Sequence, residues 1–181
     1  PELAVDDAPG LDVLQLPATL EELDTLRVTD SVARSIDLGR VRVDTLVVER
    51  AAVRRIAGRQ RSMRALVVKD ARALQALEFP DLVELGELAL SDTDSLRILG
   101  GLPALRWLGR LYVMDAEALE DLDLPTQAFV DRVEWWLNPS IRAPAGRAAL
   151  ARLRAANPDL RTYACGGEGL ADCDMRLTSM P

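Results

Sequence analysis

The apolar residues of this chain fall into a short phrase, apolar-x-x-apolar-x-apolar, that recurs at nearly constant intervals. It is met at Leu23, Leu26 and Val28, then at Val43, Leu46 and Val48, and again at Met63, Leu66 and Val68. Further copies are Leu85, Leu88 and Leu90, then Leu108, Leu111 and Val113, and finally Val130, Val133 and Trp135. Their middle residues are separated by 20, 20, 22, 23 and 22 positions. A period of this size is the mark of a solenoid, in which one unit cannot bury its own apolar face and neighbours must stack. In the first phrase Leu26 and Val28 point one way and Arg27 the other, the period-two alternation of a strand. The β-branched content of the phrases, with Val28, Val43, Val48, Val68 and Val113, favours the same assignment.

Between phrases each unit carries a second apolar group: Ile36 and Leu38, Val53 and Ile56, Leu74 and Leu77 with Phe79, Leu96 and Ile98-Leu99, Leu119 and Leu122 with Leu124. These are expected to form the opposite wall of each coil. A doubly wound sheet would need a helix of about a dozen residues in every crossover. The 14-residue gaps of the first coils, and the breaks at Gly39, Gly58, Pro80 and Gly101-Pro103, leave no room for one. Leu11, Leu14 and Leu16 read as an irregular first turn. After the last phrase, residues 145–156 have high helix propensity, with Leu150 and Leu153 on one face, and Asn157-Pro158 ends the run. Residues 160–164 then read as a last strand. The expectation is one domain over residues 1–181: an N-terminal cap at 1–22, repeats at 23–137, and a C-terminal cap of helix, strand and cysteine loop at 138–181.

The best-kept repeat runs through Leu96, Gly101-Leu102-Pro103, Leu105, Leu108-Gly109, Leu111 and Val113. It resembles the receptor L-domain group of leucine-rich-repeat-like folds, which repeats a phrase of leucine, glycine-leucine, leucine and glycine-leucine-x-valine. The C-terminal segment is similar to that of bacterial exported members, with Asn138-Pro139, a helix, and a loop from Cys165 to Cys173. The resemblance implies an α/β, strand-dominated, right-handed solenoid with one parallel sheet of about six or seven short strands and a C-terminal helical cap. It departs from regular leucine-rich repeats in the column where they carry asparagine, which here reads Ser31, Ala51, Ala71, Thr93, Ala116 and Asn138. A flatter solenoid than a horseshoe is therefore expected.

Composition narrows the function. The chain is 49% hydrophobic but only 4% aromatic, so its core must be aliphatic, and its net charge of -7 supplies no basic surplus for nucleic acid. It has no histidine, which removes the commonest general base and metal ligand. Nucleophile elbows, phosphate loops and dinucleotide fingerprints are absent. The reading is a protein that is not an enzyme and uses no cofactor or metal. Asp30, Asp70, Asp92 and Asp115 recur after the strands, with Arg50 in the same place, and read as solvated turn residues rather than calcium ligands. No apolar run is long enough to cross a bilayer. The start at Pro1 reads as that of a mature or trimmed fragment. Cys165 and Cys173 bracket a loop with three glycines. A disulfide is the expectation, with free thiols as the alternative and a zinc site requiring two added carboxylates.

If the phrase residues face inward, those between them form outward columns. The central column is Arg27, Val47, Val67, Ala89, Tyr112 and Glu134; one flank is Thr29, Glu49, Lys69, Ser91, Met114 and Trp136; the other is Thr25, Thr45, Ala65, Glu87, Arg110 and Arg132. Val47, Val67, Ala89, Tyr112, Met114 and Trp136 then make an apolar stripe that no core requires, with Arg110, Arg132 and Glu134 beside it. Such a stripe, containing Tyr, Trp, Met and Arg, marks a partner-binding face. The functional expectation is a non-catalytic module recognising a protein or glycan, in an exported protein of the periplasm, the outer membrane as a lipoprotein, or the cell surface. Alternatives are a structural or oligomerising envelope domain, with a homodimer covering the stripe, and a cytoplasmic scaffold with reduced cysteines.

Overall fold

A computed structural model of the chain describes residues 1–136, 144–165 and 173–174. It is a β-solenoid of about six turns. The long strands are β1 (Glu2–Asp6), β3 (Glu22–Thr29), β5 (Arg42–Glu49), β7 (Ser62–Lys69), β9 (Glu84–Ser91), β11 (Trp107–Met114) and β13 (Phe129–Trp136). They pair in that order, all parallel, and the sheet is completed by β14 (Arg161–Cys165), parallel to β13, and β15 (Cys173–Asp174), antiparallel to β14. Short strands form the second wall: β2 (Val13–Gln15), β4 (Ser35–Asp37), β6 (Arg55–Ala57) and β8 (Ala76–Glu78) in one sheet, and β10 (Ile98–Leu99) with β12 (Asp121–Leu122) in another.

The register is that of a solenoid in which like meets like. Leu26 lies beside Leu46, Leu46 beside Leu66, Leu66 beside Leu88, and Leu88 beside Leu111. Each of these leucines is fully buried, and facing them are Ile36, Ile56, Leu77, Leu99 and Leu122 from the short strands. Ile98 departs from the expected wall. It is exposed, because alternation along β10 can turn only one of Ile98 and Leu99 inward, and Leu99 takes that place. Leu14 and Leu16 belong to the second wall of the first coil, and its sheet strand is β1. The small residues of the missing asparagine column (Ser31, Ala51, Ala71, Thr93 and Ala116) are buried. Asn138 of that column lies outside the described residues, as does Pro139.

The long strands β1 to β11 each end in a corner residue with positive φ: Asp7, Asp30, Arg50, Asp70, Asp92 and Asp115, with φ between 44° and 52°. This left-handed conformation is best tolerated by Gly, Asn and Asp, which explains why aspartate fills five of six corners. The corner N–H of each donates to the strand end of the next coil, as in Asp30 N to Glu49 O at 3.1 Å and Asp92 N to Met114 O at 3.1 Å. The corner also accounts for the varying period. Coils of 22 or 23 residues add a tight turn after it, closed by Leu74 N to Ala71 O, Leu96 N to Thr93 O or Leu119 N to Ala116 O, whereas the 20-residue coils run through 31–34 and 51–54 without one.

Helix α1 (Pro144–Ala156) packs beside β12 and buries Ala149, Leu150 and Leu153 at the end of the stack. Asn157 fixes it there: its Oδ1 accepts from the Val130 N–H at 2.8 Å and its Nδ2 donates to the Leu153 carbonyl at 3.0 Å. Among the described residues no helix is long and apolar enough to cross a membrane.

The corner geometry leads to a direct stability test. Asp92→Val puts a β-branched side chain at φ 52° and is expected to lower unfolding free energy by about 1–2 kcal/mol, whereas Asp92→Gly stays within about 0.5 kcal/mol of the parent. Urea denaturation of the two variants checks this; equal losses would remove the backbone explanation.

Candidate binding face

The outward columns form as the strand alternation requires. Arg27, Val47, Val67, Ala89, Tyr112 and Glu134 align across β3 to β13, and Ala4 and Tyr163 extend the row at its two ends. Ser91 aligns with Met114 and Met114 with Trp136 in the row beside it, and Glu87, Arg110, Arg132 and Arg161 align in the other. Val47, Val67, Tyr112, Met114 and Trp136 are half-buried. Ala89, expected at the centre of an exposed stripe, is only 8% exposed. Its methyl group is short and lies between the longer Val67 and Tyr112, so the stripe is interrupted there.

Around Tyr112 the face carries a connected polar network. Arg110 makes a two-point contact with Glu134, Nε to Oε1 at 3.1 Å and Nη2 to Oε2 at 2.7 Å, and its Nη1 reaches Glu87 Oε1 at 3.2 Å. One guanidinium thus ties together β9, β11 and β13. Its Cζ lies 5.2 Å from the Tyr112 ring centroid, within cation–π range. The Tyr112 hydroxyl donates to Met114 Sδ at 3.2 Å, and Arg132 stands 5.8 Å over the Tyr163 ring. Burial pushes the Glu134 carboxyl up, but the hydrogen bond and charge of Arg110, the charge of Arg132 and a hydrogen bond from Trp136 outweigh it and hold the group below its ordinary value. Burial likewise raises the Tyr112 phenol, against the opposing pull of Arg110. This network fixes rotamers that would otherwise be free, giving the face a defined shape before any partner arrives.

Three aromatic residues join this face that the column reading did not include. Trp107 and Phe129 are neighbours in register, 43% and 47% exposed, at the first outward position of β11 and β13, and Tyr163 lies beside Glu134. The chain has three Trp, two Tyr and two Phe. Five of these seven (Trp107, Tyr112, Phe129, Trp136 and Tyr163) lie on the outer face of β11, β13 and β14, while Phe79 and Trp135 are fully buried. Gly109 makes room for one of them. A Cβ at that position would lie 3.0 Å from the Trp107 ring and 2.6 Å from the Gly86 carbonyl oxygen, so any side chain there would push against ring and backbone together. The first outward column reads Glu22, Arg42, Ser62, Glu84, Trp107 and Phe129, each the residue just before the first apolar position of its phrase; the strict alternation is broken inside the phrase, where two residues separate the first two core positions, so it does not point to them. Tyr163 follows a helical insertion rather than a coil, so the repeat period could not place it.

Among the described residues no group of three or more His, Cys, Asp or Glu could hold a metal ion. The Asp115 carboxyl is raised by burial, then by the charges of Asp92, Glu117 and Asp94. For the cysteines, the backbone of β14 and β15 sets Cys165 opposite Cys173 in antiparallel register. The intervening residues 166–172 lie outside those described, as do both thiol side chains. Comparison with protein-family models, curated proteins and solved structures found no match to the chain.

The Glu134 shift carries a sign. A carboxylate held below its ordinary value stabilises the folded state above the ordinary carboxylate range and loses that contribution as pH falls through the folded value. Glu134→Gln should therefore lower stability above about pH 5, by on the order of 1 kcal/mol since Arg110 is partly solvated, and converge with the parent in acid. Thermal unfolding across pH checks it; a loss of the same size in acid would show that charge is not its origin.

Proposed function

We propose that this chain is a non-catalytic recognition module that binds a protein partner through the outer face of β11, β13 and β14. The observation that carries this reading is the segregation of aromatics. In a core built of Leu, Val, Ile and Ala, five of seven aromatic residues lie on one outward patch and are interleaved with Arg110, Arg132 and Arg161. Tyr, Trp and Arg are the side chains that dominate binding energy at protein interfaces. The patch is flat and extended and its charged groups are already paired, which suits a broad macromolecular surface better than a small molecule enclosed in a cavity. A glycan is the neighbouring alternative, since an aromatic ledge such as Trp107-Phe129 also stacks on sugar rings. A second copy of the chain covering the patch would make it a structural or oligomerising element.

The receptor L-domain reading of the repeat favours an exported or cell-surface setting, and cytoplasmic use with reduced cysteines is the competing reading. In favour of a disulfide, antiparallel register sets Cys165 opposite Cys173. Protein isolated from its native compartment and denatured without reductant should therefore show no free thiol by colorimetric titration. Two free thiols would assign it to a reducing compartment.

Binding is tested by affinity capture from extracts of the native host in parallel with a glycan array. Tyr112→Ala and Trp136→Ala should each weaken capture by about tenfold or more while the unfolding transition still shows a folded chain, as removal of an interface anchor does. Unchanged capture by both variants would overturn the assignment of this face. A concentration-dependent dimer in sedimentation that either variant dissociates would assign the patch to a second copy.

A further inference from the structure

Most arginines among the described residues are matched to a carboxylate, often one coil away, as Arg42 is with Glu22, Arg55 with Glu78 and Arg97 with Glu120. That matching fails at the corner where β4 and β6 of the short-strand wall lead into β5 and β7. Arg40, Arg59 and Arg61 line one cleft of about 500 Å³ there, and Asp81, Val83 and Ala104 complete its lining. The side chains of Arg40 and Arg61 make no ion pair or hydrogen bond among the described residues, and Arg59 reaches Asp81 at 3.3 Å. Three cations against one carboxylate leave the cleft positive, on a chain whose net charge is -7.

Hydrogen bonds between coils hold these cations together. The carbonyls on either side of Arg40 are both used: Gly39 O accepts from the Arg59 N–H at 2.8 Å, and Val41 O from Gln60 Nε2 at 2.7 Å. Gln60 is only 4% exposed, and its amide fills the space beside Gly58, where a Cβ would lie 1.9 Å from Gln60 Oε1. The Val83 N–H in turn donates to Arg61 O at 2.8 Å, tying the apolar side of the cleft to the same stretch. Arg59 and Arg61 thus flank a buried anchor that sets them beside Arg40, although like charges on adjacent coils repel.

We infer that this cleft binds a phosphate group, carried as the free ion or as the monoester of a small organic molecule. The planar fork of a guanidinium matches phosphate oxygens two at a time. A phosphate monoester carries about -1.5 to -2 charges at neutral pH, which offsets the excess of the three arginines over Asp81. The volume lies within the range of small-molecule sites, about 300–1,000 Å³, and leaves room beside the ion for an organic part. Val83 and Ala104, both half-buried, supply the apolar surface for that part. On the other side of the arginines the surface includes Glu22, Asp24 and Asp44, which favours an anion on the Val83 side.

The test is calorimetric titration of the full chain, at fixed ionic strength, with inorganic phosphate, glycerol 3-phosphate, glycerol and acetate. Both phosphates should saturate, glycerol should not bind, and acetate, with a single charge, should bind about tenfold more weakly or worse. Glycerol 3-phosphate binding more tightly than the free ion assigns the cleft to an ester, and equal binding assigns it to the ion itself. Arg40→Gln and Arg61→Gln alter exposed side chains with no partner to lose, and each should weaken phosphate binding by about tenfold. Arg61→Lys keeps the charge without the fork and should fall between parent and Arg61→Gln. Arg54→Gln removes an exposed charge outside the cleft, and Tyr112→Ala alters the aromatic face; both should leave phosphate binding unchanged. An equal loss in Arg54→Gln would reduce the attraction to general charge. That result, acetate as tight as phosphate, or phosphate that never saturates would each overturn the inference.

Discussion

Stacking of identical columns is the constraint from which the remainder of this structure follows. Each coil is too thin to bury its own Leu-x-x-Leu-x-Val phrase, and only the next coil, in register, removes those side chains from water. Leu26, Leu46, Leu66, Leu88 and Leu111 are fully buried because each lies between apolar register partners on both sides. In-register stacking demands that every coil turn at the same height, and the corners at Asp7, Asp30, Arg50, Asp70, Asp92 and Asp115 do this with a left-handed residue whose N–H feeds the neighbouring strand end. Differences in coil length are then absorbed below the corner, in the tight turns after Ala71, Thr93 and Ala116, where they leave the sheet undisturbed.

The same constraint shapes the outer face. Parallel register turns the residues between core positions into straight rows, so a residue's neighbours on the surface lie one coil away in sequence. That is why Arg110 can join Glu87 and Glu134 although they are 23 and 24 positions distant. Part-buried ion pairs of this kind contribute on the order of 1 kcal/mol or less individually. Their effect here is to order long side chains around Tyr112 and leave a patch of fixed relief. The network lies at the β9–β13 end of these rows, and the aromatic residues are concentrated toward the same, helix-capped end.

The repeat made the architecture legible because a solenoid writes its contacts as a period: the phrase from Leu23 to Trp135 predicted strands, register and outward columns together. What escaped had identifiable reasons. β1 carries only the last two positions of the phrase, Leu3 and Val5, too few to register as a copy. The opposite orientations of Ile98 and Leu99 are set by a two-residue strand, where no alternation can be read. Positive φ at the corners has no hydrophobic signature, and the recurring aspartates looked like ordinary turn residues. Trp107 and Phe129 fell just outside the phrase used to define the columns. For Tyr163 the obstacle was helix α1, which replaces a coil and breaks the arithmetic. A period locates the outward patch, because rows follow from register, and carries no signal for what the patch would meet.

Helix α1 and Asn157 pack at one end of the described stack, and β1 is the outermost described strand at the other. The two ends are chemically unlike, one aromatic with its arginines paired to carboxylates, the other richer in acidic residues. Between β1 and β11 lie five strand-to-strand steps of about 4.8 Å each, so roughly 24 Å separates the first described strand from the first strand of the aromatic patch. That separation is quantised. Adding or removing one coil would change it by a single step and leave both ends intact, because each coil touches only its neighbours. The number of repeats in this chain is thus a ruler, and its graduations are the spacing of a hydrogen-bonded sheet.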